Sequence, residues 1–128
     1  MPKRATDKRP LICVIDDDES VRESLPDLIK ELGFAVRAFS SAEEFLASDG
    51  PALAKCLVLD VAMPGMSGPE LQRELKRQGR DVPIVFITAH TNDGIRPRVL
   101  KQGAAACLFK PFSDTALREA LGTALQGG

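Results

Sequence analysis

The sequence is poor in several things at once. It has one histidine, three cysteines and almost no surplus of either charge. No apolar run in it approaches the ~20 residues needed to span a bilayer. Each shortage closes a class of function. Seventeen basic residues stand against eighteen acidic ones, a formal charge of −1. No broad basic field is available to hold nucleic acid, so these residues offer no dedicated DNA-binding surface. Met1 to Pro10 is polar, and only five apolar residues follow it, Leu11 to Ile15, too short a stretch for the core of a signal peptide. Cys13, Cys56 and Cys107 are odd in number, far apart and set inside apolar runs. They read as free buried thiols of a reducing, cytoplasmic compartment, not as a disulfide framework or a zinc site. His90 has no Cys or His near it, which removes a His-rich metal centre.

What is present is ordinary globular composition: 128 residues, 44% hydrophobic and 27% charged. That suits one domain able to bury roughly two thirds of its unfolded surface. The expected division is a disordered polar tail over 1–10, whose Lys3, Arg4, Lys8 and Arg9 are solvated, then a domain over 11–125. Residues 126–128 are left as a tail or the start of a linker.

Short apolar runs occur at Leu11–Ile15, Cys56–Leu59, Val82–Ile87 and Ala105–Phe109, with a weaker one at Phe34–Phe39. Between them lie segments with helical spacing, such as Val21, Leu25, Leu28, Ile29 and Leu32, or Leu117, Ala120, Leu121, Ala124 and Leu125. Ser41 with Glu44 and Ser67 with Glu70 have the spacing of capping boxes, and Ser113 can cap the last helix. Gly33, Gly79 and Gly103 stand where helices should stop. The pattern predicts five β units, each followed by a helix. Strands apolar on both faces imply a parallel sheet covered on both sides. Pro26 falls inside the first helix, and Gly94 and Pro97 predict that the fourth starts late, near residue 96. Phe34, Phe39, Phe45, Phe86 and Met63 read as core, and Met66 as exposed.

Four of these strands end in a chemically capable group. The first runs into Asp16, Asp17, Asp18 and Glu19; the others end in Asp60, Thr88 and Lys110. Singly, each has a plainer reading: a helix cap, a turn former, a turn hydroxyl, a solvated lysine. In an open α/β sheet, however, ligands bind beyond the carboxyl ends of the strands, so all of these can meet in one crevice. Packed carboxylates repel, and one is pushed toward protonation unless a cation lies among them. All-oxygen ligands with room for water suit Mg²⁺ better than Ca²⁺. Thr88 and Lys110 can hold oxyanion atoms. The set describes phosphoryl transfer to a carboxylate.

Ile15-Asp-Asp-Asp-Glu19, Asp60-Val-Ala-Met-Pro-Gly-Met-Ser-Gly68, Ile87-Thr-Ala-His90 and Lys110-Pro-Phe112 resemble, in order and spacing, the signature blocks of response-regulator receiver domains. The likeness covers about residues 11 to 125 and is strongest to the FixJ-type branch, whose members usually add a C-terminal helix-turn-helix. It implies a flavodoxin-like (βα)5 fold with strand order 2-1-3-4-5. It implies that Asp60 is the phosphoacceptor, served by a sensor histidine kinase and controlling an output domain or partner, with self-phosphorylation and autodephosphorylation but no separate substrate. Asp16, Asp17, Asp60 and the backbone carbonyl of Ala62 would hold Mg²⁺, with Asp18 outside the metal shell. Lys110 would pair with Asp60 or its phosphate, ahead of a cis Lys110–Pro111 bond, and Thr88 would turn its hydroxyl to the phosphate beside the small Ala89. Pro64 and Gly68 would shape the turn after Asp60. A phosphorylation-dependent homodimer is also compatible with the likeness.

One departure stands out. Where such domains usually carry Tyr or Phe, three residues before the lysine, this chain has Cys107, while Phe109 is two positions along. Cys107 reads as a small strand hydrophobe in preference to a redox-sensitive thiol. The expectation is that residues 89–99 carry the response while Cys107 is nearly passive. Two other functions compete. A degenerate receiver would bind partners without phosphorylation, and an aspartyl-nucleophile phosphatase would need a second Asp where Ala62 stands.

Overall fold

The computed structural model describes residues 9–89 and 94–127. The tail over residues 1–8, His90 and the 90–93 part of the 89–99 segment lie outside the described residues. Strands β1 (Leu11–Ile15), β2 (Ala35–Phe39), β3 (Cys56–Asp60), β4 (Ile84–Thr88) and β5 (Ala106–Phe109) form one parallel sheet in the order β2-β1-β3-β4-β5. The order reverses direction at β1 and β3, so the carboxyl ends of these two strands flank the crevice in which such sheets bind ligands.

Alternation along the strands splits the core in two. Cys13, Ile15, Leu57, Leu59 and Phe86 face one layer, with Phe45, Leu71 and Val99 from helices α2 (Ala42–Leu46), α4 (Gly68–Arg77) and α5 (Ile95–Lys101). Ile12, Val14, Val58 and Ile87 face the other, with Leu25 and Ile29 of α1 (Glu19–Glu31) and Leu117 and Leu121 of α6 (Asp114–Gly127). Each fully buried side chain of this kind contributes about 1.5–3 kcal/mol. Cys13 and Cys56 fall on opposite faces, and all three cysteines are buried and unbridged. Burial pushes the Cys13 thiol up to about 11 and the Cys56 thiol up to about 12, so neither is a nucleophile near neutrality.

The helical units depart from expectation at three points. The second is two short helices, α2 and α3 (Gly50–Leu53), not one. Ser48 breaks it: its hydroxyl donates to the Phe45 carbonyl and accepts from the Gly50 N–H, while Pro51 opens the next helix. Ser41 caps α2 through the Glu44 N–H, but the Glu44 carboxylate bonds the N–H and hydroxyl of Ser40, so the expected box closes one residue early. The last helix runs on to Gly127, past the expected boundary at residue 125. Elsewhere the signals hold. Ser67 and Glu70 make a complete capping box on α4. Ser113 accepts from the Ala116 N–H. Pro26 sits in an unbroken α1. α5 begins at Ile95, with Pro97 in the first turn, where a missing N–H costs no helical bond.

Candidate phosphoacceptor and metal site

The carboxyl ends of β1, β3, β4 and β5 bring the expected residues together. Asp16 is fully buried just beyond β1, Asp17 is exposed beside it, Asp60 closes β3 nearly buried, and Thr88 closes β4 fully buried. Ligand oxygens of Asp16, Asp17 and Asp60 all lie within 4.8 Å of one another. Ala62 is exposed in the loop two residues after Asp60, and Ala89 is exposed after Thr88. Lys110 follows β5 and precedes a cis peptide bond to Pro111. Its backbone N–H donates to the Thr88 carbonyl at 2.8 Å, which ties the lysine to the end of β4.

The lysine pairs with Asp60 as expected but takes a second, nearer partner: its ammonium donates to Asp16 Oδ2 at 3.0 Å and lies 3.7 Å from Asp60 Oδ1. The Asp60 carboxyl is itself held toward its neutral form. Burial first, and then the charge of Asp16, push it up from 3.8 to about 7, against the pull of Lys110. Burial opposes the charge on Lys110, but the Asp16 hydrogen bond and the carboxylates of Asp60, Asp16 and Asp18 outweigh it and hold its pKa above the ordinary lysine value.

The donor set fits a divalent cation. Three carboxylates converge, one of them driven toward protonation by burial and then by its acidic neighbours, and a cation among them would relieve the repulsion. Asp18 has a different partner. It is the N-cap of α1, accepting from the N–H and hydroxyl of Ser20, and these bonds hold its carboxyl below the usual range. Asp16 is braced as well as buried: Oδ1 accepts the Asp18 N–H at 2.9 Å, and the Arg22 guanidinium donates to its carbonyl at 3.0 Å.

Three features of the site were not foreseen. Arg22 reaches back from α1, and the sequence marks it only as a polar helix position. Glu43 of α2 accepts the Met66 N–H at 2.9 Å, tying the loop after Asp60 to another layer element. Met66 is consequently not exposed but partly buried against the core. Gly68 does more than shape the turn, because its place demands close approach: a Cβ there would lie 2.4 Å from the Asp60 carbonyl and 2.9 Å from Phe86. At the β5 edge, the Arg96 guanidinium lies 5.7 Å from the centroid of the Phe109 ring. A depression of 1150 Å³ opens at the opposite, amino end of the strands, lined in part by Leu11, Ala35, Lys55 and Val82 and by none of the converging groups.

Residues 12–122 match the family model described as the response regulator receiver domain. The chain is 40% identical over 120 residues to the response regulator protein TmoT of Ectopseudomonas mendocina, covering 94% of this chain and 54% of that protein. It is 41% identical over 119 residues to the transcriptional regulatory protein FixJ of Azorhizobium caulinodans, covering 90% and 56%. The chain thus spans about half the length of the curated relatives it matches. Among solved structures it is similar to FixJ-N, with a TM-score of 0.84 at 38% identity over 93% of this chain and 95% of that one.

Proposed function

The chain belongs to the response regulator receiver domain family, the receiver module of two-component systems, and we propose that its Asp60 accepts a phosphoryl group from a phosphohistidine on a sensor histidine kinase. The observation that carries this reading is the convergence of Asp16, Asp17 and Asp60 oxygens within 4.8 Å, with the Lys110 ammonium 3.7 Å from the Asp60 oxygen. A carboxylate oxygen of Asp60 attacks phosphorus. The N–P bond breaks with its electron pair left on the imidazole, and an acyl phosphate forms. Asp16, Asp17, the Asp60 carboxylate and the backbone carbonyl of Ala62 would hold Mg²⁺, which supplies positive charge to the transferring oxygens. Lys110 gives a second cation to those oxygens, and Thr88 gives a hydroxyl from the end of β4. Hydrolysis of the acyl phosphate resets the domain, so the chain acts on itself and on no separate substrate.

The output is a domain or partner that regulates transcription, in line with relatives named as transcriptional regulators. The unbridged cysteines agree with a cytoplasmic setting. The phosphatase alternative lacks its second acid, because Ala62 stands at that position.

The test uses Mg²⁺, acetyl phosphate and intact-mass spectrometry. Wild type gains one phosphoryl group, Asp60→Asn gains none, and Asp17→Asn loses metal binding and labelling together. Equal labelling of Asp60→Asn would overturn the assignment. Metal-independent labelling of wild type would reduce the carboxylate cluster to a helix cap.

A further inference from the structure

We infer that Glu43, which lies in a different helix from every group of the site, is a positioning residue for the loop that carries Ala62. The inference rests on the metal-dependent phosphoacceptor reading above. The loop over residues 61–67 leaves Asp60 and enters α4. Its base is closed, because the Gly68 N–H donates to the Val61 carbonyl at 2.9 Å and the Val61 N–H donates to the Ile87 carbonyl at 3.1 Å. Met63 anchors its first half in the core. Its far end, Gly65–Met66, is held from outside: Glu43 Oε2 accepts the Met66 N–H at 2.9 Å.

The contact is built on both sides. Gly65 has a φ of +73°, and a Cβ on it would come within 2.7 Å of the same Glu43 oxygen. Glycine therefore supplies the left-handed turn and also clears the path of the carboxylate. On the other side, α2 is fixed by the fully buried Ala42 and Phe45, so Glu43 projects from a firmly packed element. Its neighbour Glu44 is spent on Ser40, just ahead of its own helix. Two adjacent glutamates thus have different work, one local and one across 23 residues of chain.

The consequence falls on the metal. Mg²⁺ demands near-ideal octahedral geometry, so a loop that loses one of its fixed points costs affinity before it costs anything else. The bond is charge-assisted but exposed, which sets the expected effect as modest.

Mg²⁺ affinity measured by isothermal titration calorimetry on the full chain tests this. Glu43→Ala should raise the Mg²⁺ Kd about three- to tenfold. The rate of acetyl-phosphate labelling at saturating Mg²⁺, and the melting temperature without metal, should stay near wild type. Glu43→Gln keeps an acceptor oxygen and should bind Mg²⁺ within about twofold of wild type. Wild-type affinity in Glu43→Ala would overturn the inference, as would a Gln variant as weak as the Ala variant, which would assign the effect to charge. Absence of Mg²⁺ binding in the wild type itself would overturn the inference together with the metal-dependent reading beneath it.

Discussion

The Lys110 ammonium is closer to Asp16 than to Asp60, 3.0 Å against 3.7 Å. Asp16 is completely buried, and its second oxygen is committed to the Asp18 N–H. The lysine therefore faces a carboxylate that has no access to water, while remaining within reach of the proposed phosphoacceptor. In the resting domain it is a structural counter-ion first. A transferred phosphoryl group on Asp60 would compete with Asp16 for the same ammonium.

Lys110→Met should therefore cost stability as well as phosphorylation. It strands a buried carboxylate, which in a fully enclosed pair costs about 3–5 kcal/mol. Because the lysine side chain is 23% exposed, the expected loss is smaller, about 2–3 kcal/mol. Urea unfolding near neutral pH with EDTA present measures it. A variant as stable as wild type would show that Asp16 does not depend on this ion pair.

The pH dependence of stability should carry the signature of Asp60. Its carboxyl is raised to about 7, chiefly by burial and then by Asp16. In the window from about pH 4 to about pH 7 the native protein keeps a proton that the unfolded chain releases, so this group's contribution falls as pH rises and levels off above the window. Metal-free wild type should thus lose up to about 2–4 kcal/mol relative to Asp60→Asn across that window, because asparagine has no such titration. Mg²⁺ should recover part of the loss at the upper end by binding only the native state. Parallel stability curves for the two proteins would place the Asp60 titration back at the ordinary carboxylate range.

Much of this was legible in the residues. Five apolar runs alternating with helical stripes lead to a parallel sheet, and a parallel sheet gathers its strand ends, so Asp16, Asp60, Thr88 and Lys110 could be brought together from positions nearly a hundred residues apart. What was hidden depends on groups that leave no pattern. Glu43 is received by a backbone N–H, which any residue at position 66 except proline would offer. The break between α2 and α3 turns on one hydroxyl, Ser48, competing with the helix for its own backbone. The preference of Lys110 for Asp16 is decided by a difference of under an ångström, and by how deeply each carboxylate is buried.

The last prediction concerns how the signal leaves the site. Cys107 is buried at 2% exposure and pairs in register with Phe86, where a thiol has little bulk with which to push. Phe109, on the same face of β5, pairs in register with Thr88 and immediately precedes Lys110. Its ring faces the Arg96 guanidinium in the first turn of α5, a helix of only seven residues whose N-cap is a left-handed glycine without a side-chain cap. Such a helix start is weakly held, and a displacement of Thr88 or Lys110 toward a phosphoryl group would be felt through Phe109 by Arg96. Hydrogen exchange should therefore change over residues 94–101 when Asp60 is phosphorylated, and the change should survive in Cys107→Ala. That variant should lose only about 1 kcal/mol of stability, for the small cavity it leaves. Phe109→Leu should be phosphorylated normally and show a weaker change over the same residues. Loss of the response in Cys107→Ala, with Phe109→Leu unaffected, would place the relay on the thiol instead.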